Sequence, residues 1–404
     1  MRLLIHDYGG YPFTTPLSRE LARRGHQVLH VSAGYNNTPR GDLQRREGDP
    51  AGLEFQALYT RQPLDKYSFL RRWLQEREYG HLLGGLIQSW QPQVMLSANT
   101  PLDAQSQALA AARAVGAGFI FWLQDVLGEA AWRILRGRVP VVGGLVGGYY
   151  RAMEGRLARR SDHLVLISAD FQAQAAAWGV PPERVSVIPN WAPLDDLSVQ
   201  PRDNPWSRQV LEAGQLPLAD SFVFLYTGSL ALKHNPGLLL ELARAVQADG
   251  ARVVVVSAGP GADWLRQAGQ AAGMHNLQVL GYQPYAELSQ VLAAGDVLVA
   301  VLEADAGVFS VPSKVLSYLC AGRPLLLAVP PENLAARMVR EAQAGLVVSP
   351  DDTQGFLQAA RALAQDAPRR EAMGRAGRAY AEQQFAIGPL AEQFATIILR
   401  YNEV

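Results

Sequence analysis

Tyr226-Thr227-Gly228-Ser229-Leu230-Ala231-Leu232-Lys233-His234-Asn235-Pro236 decides the fold of this chain. The residues leading into it, Phe222–Thr227, form a short apolar run without polar alternation, as a strand buried on both faces requires. Gly228 turns the chain, and Pro236 suits the first turn of a helix expected over Gly237–Gln247. Strand, glycine turn, lysine, helix is one βα unit. A lysine in that turn reaches the space beyond the strand ends, where doubly wound sheets bind ligands.

Outward from this stretch the same unit recurs. Downstream, strands are expected at Arg252–Ser257, Leu277–Leu280, Asp296–Val301, Pro324–Ala328 and Leu346–Val348. Helices are expected between them at Ala262–Ala272, Tyr285–Ala294, Pro312–Ala321 and Leu334–Gln343. Upstream, strands are expected at Leu3–His6, Gln27–Ser32, Glu54–Tyr59, Val94–Ala98, Phe119–Leu123, Leu164–Ser168 and Val185–Ile188. Helices are expected at Thr15–Arg24, Tyr67–Trp90, Leu102–Val115, Gly148–Ser161 and Ala169–Trp178. Ile188-Pro189-Asn190-Trp191-Ala192-Pro193 breaks the rhythm, and a stretch rich in Pro, Asp and Asn runs on to Pro217. The fold class expected is α/β, two doubly wound Rossmann-like domains of parallel sheet covered on both faces. The expected bounds are 1–195 and 205–384, with a C-terminal helix over 385–404 packing back on the first domain.

Composition narrows the partners. With 49% hydrophobic and 18% charged residues the chain is globular rather than disordered. A net charge of zero argues against nucleic acid. The single cysteine, Cys320, allows no internal disulfide and fits a reducing compartment, where it reads as a packing residue. No secretory signal is read at Met1, so a cytoplasmic place is expected, with the inner face of the cell membrane left open. The longest weakly polar run, Val139–Tyr150, contains four glycines and falls short of the roughly 20 residues of a span. Arg133, Arg136, Arg138, Arg151, Arg156, Arg159 and Arg160 crowd a segment that also holds Trp132, Tyr149 and Tyr150, and Arg71 and Arg72 sit beside Phe69 and Trp73. These segments suit an anionic membrane surface or a pyrophosphate-lipid acceptor, or else form a solvated face over a buried aromatic stripe. Arginines number 34 and lysines three, Lys66, Lys233 and Lys314, so a lysine here invites a specific explanation.

Three motifs carry chemistry. Asp7-Tyr8-Gly9-Gly10-Tyr11-Pro12-Phe13 follows the first strand, and its glycines allow close backbone approach, with Thr14 or Thr15 able to cap the next helix. It lacks the dinucleotide spacing, which disfavours a nicotinamide dehydrogenase. Gly228, Ser229 and Lys233 form the second, a diphosphate loop. The third runs from Ala306-Gly307 through Ser310-Val311-Pro312-Ser313-Lys314 to Ser317 and Gly322-Arg323-Pro324. There Ser310 or Ser313 can cap a helix whose positive end carries Lys314, with Ser317 one turn on.

In order and motif the chain resembles the retaining GT-B glycosyltransferases of the large family four, most nearly the bacterial enzymes of surface-polysaccharide synthesis. The likeness runs over nearly the whole chain. Gly9-Gly10 with Arg24-Gly25-His26-Gln27-Val28 is similar to the family's opening, and Ile188-Pro189-Asn190 to the end of its first domain. Gly228 to Lys233, Ala258-Gly259-Pro260-Gly261, Gly281-Tyr282 and Pro312-Ser313-Lys314 to Pro324 follow its second domain. The resemblance implies an acceptor-binding first domain, a nucleotide-sugar-binding second domain and an active site in a cleft between them. It implies a UDP- or GDP-sugar donor and a saccharide or polyprenyl-pyrophosphate-linked acceptor, with no cofactor. The implied donor site is Gly9, Gly10, Gly228, Ser229, Lys233, Gly259, Tyr282, Ser313, Lys314 and Ser317. Two signature glutamates of the family are replaced here by Phe309 and Ser317, and Glu303 or Asp305 is the substitute expected at the donor sugar. Where many members carry an arginine after the loop glycine this chain has Ser229, and Lys314 supplies the missing charge.

Breaking a sugar–diphosphate bond leaves charge on phosphate, so a cation must act more strongly in the transition state than before it. No Asp-x-Asp metal pair appears, and the work is assigned to Lys233, Lys314 and helix-terminal amides, with no metal. A cation ~4 Å from a phosphate charge is worth about 4 kcal/mol at an effective dielectric of 20. Asp125, in Trp122-Leu123-Gln124-Asp125, either orients and deprotonates the acceptor or caps a helix; His6 and His234 are open between site and scaffold. Two other functions remain on the same architecture: a non-catalytic nucleotide-sugar-binding subunit, and a nucleotide-sugar 2-epimerase.

Overall fold

The computed structural model describes residues 1–35, 40–63, 69–138, 140–211, 221–230, 234–303 and 313–401. The chain divides into two compact units, the first Met1–Asn190 with Ile387–Val404, the second Trp191–Ala386.

In unit 1, seven strands form one sheet: β1 (Arg2–Asp7), β2 (Gln27–Ala33), β3 (Leu53–Leu58), β4 (Val94–Ala98), β5 (Gly118–Leu123), β6 (His163–Leu166) and β7 (Val185–Val187). Their spatial order is β3-β2-β1-β4-β5-β6-β7, and every pairing is parallel. Helices α1 (Thr14–Arg23), α2 (Phe69–Trp90), α3 (Leu102–Ala114), α4 (Leu127–Arg138), α5 (Pro140–Arg160) and α6 (Gln172–Ala177) make the crossovers. β4 is buried along its whole length, and β1 and β5 along all but their first residue, because helices cover both faces.

Unit 2 repeats the plan with six strands: β8 (Val223–Thr227), β9 (Arg252–Val256), β10 (Leu277–Leu280), β11 (Val297–Val301), β12 (Leu325–Ala328) and β13 (Gly345–Val348). The order is β10-β9-β8-β11-β12-β13, again all parallel. Helices α7 (Pro205–Leu211), α8 (Pro236–Val246), α9 (Pro260–Ala271), α10 (Leu288–Ala293), α11 (Lys314–Cys320), α12 (Leu334–Glu341), α13 (Thr353–Gln365) and α14 (Ala367–Gln384) complete it. These are two Rossmann-like domains of the GT-B type. In each the order reverses beside the first strand, between β1 and β4 and between β8 and β11. A crevice opens at such a switch, beyond the carboxyl ends of the strands.

The last helix, α15 (Ile387–Leu399), belongs to unit 1. Phe394 lies 4.8 Å from the Trp122 ring, and Phe13 lies 5.4 Å from it. Arg24 pairs with Glu392, and Tyr401 hydroxyl lies 3.0 Å from His163 Nδ1.

Three helical segments differ from the sequence reading. α4 was not expected. α5 begins at Pro140 rather than Gly148, so the glycine run is helical. Its glycines serve contact: a Cβ on Gly143 would meet Leu135 O at 2.0 Å, and one on Gly147 would meet Trp132 Cα at 2.4 Å. α4 and α5 therefore pack backbone against backbone. α7 interrupts the expected linker, with Asn204 and Ser207 exchanging side-chain hydrogen bonds with each other's amides at 2.9 Å. Among the described residues no helix is long and apolar enough to cross a membrane.

Candidate functional site

The carboxyl edge of the second sheet gathers most of the expected donor residues. β8 ends at Thr227, and Gly228 turns with φ +94°, a conformation that a side chain would strain. Its amide donates to Val256 O at 3.1 Å, tying the loop to β9. A Cβ there would meet Lys314 Cε at 3.3 Å, so glycine and lysine are in contact across the switch point. Lys314 opens α11. Its stem is partly exposed, but Nζ is enclosed, 3.6 Å from the centre of the Tyr226 ring, and has no hydrogen-bond partner. Burial holds its pKa well below the usual lysine range.

Tyrosines fix this geometry. Tyr318, one turn along α11, is fully buried; its hydroxyl accepts from Thr227 N at 2.8 Å and lies 3.3 Å from Val299 O. It joins α11 to the end of β8 and the middle of β11, the two strands that flank the switch. Tyr226 donates its hydroxyl to Ser229 O at 2.9 Å, which holds the loop over the ring beneath Lys314. Ser229 hydrogen-bonds Tyr282, a part-exposed residue just beyond β10. Gly259, at the end of β9, has φ +111°, and the next turn is tied back by Gly261 N donating to Leu230 O at 3.0 Å. α8 and α9 start at this edge, α8 from a left-handed Asn235 whose side chain accepts from Leu238 N.

Gly228, Ser229, Gly259, Tyr282 and Lys314 are thus brought together. Ser317 is half-buried one turn along from Lys314, and Glu303 half-buried after β11. Ser313 precedes α11 but makes no side-chain capping bond, which corrects that expectation: its own backbone is already helical. Lys233 and Asp305 lie outside the described residues, as do Ser310, Pro312 and Phe309. Cys320 is buried against Leu316 O, and burial pushes its thiol up to about 12, as a packing residue requires.

The corresponding edge of unit 1 is built differently. The Asp7 carboxylate is buried and accepts from Gly9 N, Tyr11 N, Thr14 Oγ1 and Asn99 Nδ2 at 2.6–3.2 Å. Gly10 N donates to Asp7 O, so the amides of both expected donor glycines are engaged within the loop. Burial raises the Asp7 carboxyl to about 6 against the pull of its four donors. Thr14 and Thr15 turn their hydroxyls to Asp7 and Pro12 instead of capping α1, a second correction. His6 is scaffold: it contacts Ser97, Tyr79 and Thr100 hydroxyls at 2.8–3.1 Å, and burial lowers it to about 3, so it stays neutral.

Asp125 is exposed between β5 and α4. The amides that open α4, Leu127 N and Gly128 N, donate to Glu154 instead, at 2.8 and 3.0 Å. Glu154, on α5, is buried and pushed up to about 8, with Asp125 adding to the rise. Sequence reasoning passed over Asp7, Glu154, Tyr226 and Tyr318. The available signal was polarity out of place: an acid ending an apolar strand, and a tyrosine within one.

Known proteins share this fold. Residues 9–191 match the Glycosyl transferase 4-like domain and residues 221–366 match Glycosyl transferases group 1. No curated protein matches the chain. Among solved structures it is similar to Alr3699/HepE of Anabaena in complex with UDP-glucose, at 17% identity and TM-score 0.71 over 99% of this chain and 100% of that one. It is similar to sucrose-phosphate synthase of Thermosynechococcus elongatus, at 14% and 0.74 over 99% and 98%. It is also similar to WaaG, a glycosyltransferase involved in lipopolysaccharide biosynthesis, at 16% and 0.65 over 98% and 99%.

Proposed function

We propose that this chain, which belongs to the glycosyltransferase group 1 family, moves a sugar from a UDP- or GDP-sugar held by unit 2 to a saccharide or polyprenyl-pyrophosphate-linked saccharide held by unit 1, with retention at the anomeric carbon and without a metal. The work belongs to surface-glycan synthesis on the cytoplasmic side of a membrane. The observation that carries this reading is the Lys314 amine, enclosed without a partner against Gly228 at the switch point. A buried, unpaired amine costs stability. A diphosphate lying on the Gly228 turn supplies the missing partner and favours the charged form of the amine.

In the reaction the bond from the anomeric carbon to the phosphate oxygen breaks, and its electron pair stays on that oxygen. Charge there grows toward the transition state, where Lys314 and Lys233 stabilise it most. The acceptor hydroxyl adds to the same face of the sugar, and its proton passes to the departing phosphate. Asp125 orients that hydroxyl. Tyr282 and Ser229 support the base, Ser313 and Ser317 the nucleotide, and Glu303 and Asp305 the donor sugar. Gly259 and the Gly9-Gly10 turn contribute close backbone approach. The solved complex of HepE with UDP-glucose favours a UDP-sugar.

The test is a melting-point screen with UDP-, GDP- and ADP-sugars, on wild type and Lys314→Met, because a ligand of the folded state raises the melting point. One donor class should stabilise wild type and leave Lys314→Met unmoved. Absence of a shift with every donor, or an equal shift in both proteins, overturns the assignment.

A further inference from the structure

We infer that the first turns of α5, together with the first turns of α2, dock on an anionic lipid surface. The inference concerns unit 1 alone and does not rest on the transfer reading.

The hairpin projects. Tyr150 on α5 donates its hydroxyl to Asp103 Oδ2 at 2.8 Å, and Asp103 lies in the first turn of α3, at the carboxyl edge of the sheet. The ten residues of α5 before Tyr150, about 15 Å of helix, therefore stand beyond that edge, and α4 packs along them. Their inner side is set by Gly143 and Gly147 against α4. Their outer side carries Val141, Val142, Leu145 and Tyr149, 52–77% exposed. At 100° per residue these four fall within one 100° stripe, opposite the glycines. A side chain on either glycine would push the helices apart, so the close packing that exposes this stripe is built into the sequence.

Charge says what covers it. From the sequence, residues 127–160 hold seven arginines and two glutamates. Glu129 is paired with Arg133 at 3.0 Å and Arg151 at 3.1 Å, and Glu154 is buried. Arg136 and Arg151 lie 4.9 and 5.3 Å from the Trp132 ring, on the side of the hairpin where α4 meets Gly147. Arg156 and Arg160 follow on exposed positions of α5. An exposed apolar stripe with a tyrosine at its base, on a helix pair whose arginines outnumber its glutamates, suits an anionic leaflet.

A second element supports the same side. Arg72 on α2 lies within electrostatic range of Tyr150, which sets the start of α2 next to the base of the hairpin. There Leu70 and Leu74 are 70% and 59% exposed, one helical turn apart, with Arg71 and Arg77 exposed beside them. Docked this way, the protein turns the carboxyl edge of unit 1 toward the lipid, where an acceptor on a polyprenyl tail would lie.

Cosedimentation with vesicles tests this, using the full chain and no donor. Wild type should bind phosphatidylcholine vesicles that contain about 30% phosphatidylglycerol and release as salt rises. Pure phosphatidylcholine should retain little. Val142→Asp with Leu145→Asp should weaken binding at least tenfold while circular dichroism and the donor-induced melting shift stay at wild-type values. Arg136→Glu should weaken binding less and flatten its salt dependence. Failure of wild type to bind the anionic vesicles overturns the inference, as does wild-type binding by the double aspartate variant. So does a wild-type dimer in solution that the same variant turns into monomer, which would make a second copy the occupant.

Discussion

The two switch-point loops occupy the same place in two sheets of similar plan, yet one is satisfied and the other is not. In unit 1 the turn after β1 is closed over its own anion: Asp7 accepts three hydrogen bonds from the turn and the start of α1, and a fourth from Asn99 beyond β4. In unit 2 the turn after β8 has no acid among its described contacts and leaves a lysine amine without a partner. A carboxylate placed where a phosphate would sit repels one; an unpaired amine attracts one. Shared topology therefore does not mean shared binding. The difference rests on one residue in each unit, and both can be changed.

The largest effect should come from Lys314→Met. Transfer should fall by ~10²–10³, the usual loss of one charge-stabilising group, while the empty protein melts higher because an unpaired buried amine is gone. Steady-state rates and melting curves on one preparation check both halves. Unchanged transfer, or a lower melting point, would erase the contrast between the loops. Lys233→Ala should lower transfer to a similar degree without unfolding the chain.

Asp7→Ala should act in the opposite sense, through the fold. Two amides, a hydroxyl and an amide side chain lose their acceptor, a destabilisation of about 2–4 kcal/mol in denaturant melts. No UDP-sugar concentration should selectively rescue it.

The next effect is on protons. Lys314 is depressed in the empty protein and is expected to recover toward its usual range against a diphosphate. Donor binding should therefore take up protons at pH values between the depressed and the recovered range, and affinity should fall as pH rises through that window. Calorimetry in buffers of differing ionisation enthalpy reads this directly; a buffer-independent enthalpy would count against the amine as the phosphate partner.

Glu154 gives the smallest signal. Its folded pKa of about 8 lies above the ordinary value of 4.5, so its contribution is fully present below about 4.5 and is lost as pH rises through about 8. Glu154→Gln should flatten stability across that window, as pH-dependent melting would show.

Much of the scaffold was legible. Val94–Ala98 and Leu277–Leu280 are strands with the ends expected, because continuous apolar runs bounded by turns leave little choice. The misses share a cause. The glycines of Val139–Tyr150 look like breakers until α4 is seen packed onto them, and Asn204-Pro205-Trp206-Ser207 looks like linker until its paired capping bonds are formed. At the site, the approach of Gly228 to Lys314 follows from topology. The Tyr226 ring under the amine does not, because a tyrosine in a buried strand reads equally as core. Asp7 and Glu154 were illegible for the same reason: a carboxylate becomes a cap only when a loop or a second helix brings amides to it.

The membership of α15 in the first unit has a consequence for anyone cutting the chain. In sequence, unit 2 is an insertion within unit 1. A fragment ending at Asn190 would leave the Trp122 flank uncovered where Phe394 packs, and should aggregate. Residues 191–386 are one uninterrupted length and can be expressed by themselves. The first unit needs its last eighteen residues, 387–404, returned through a short bridge.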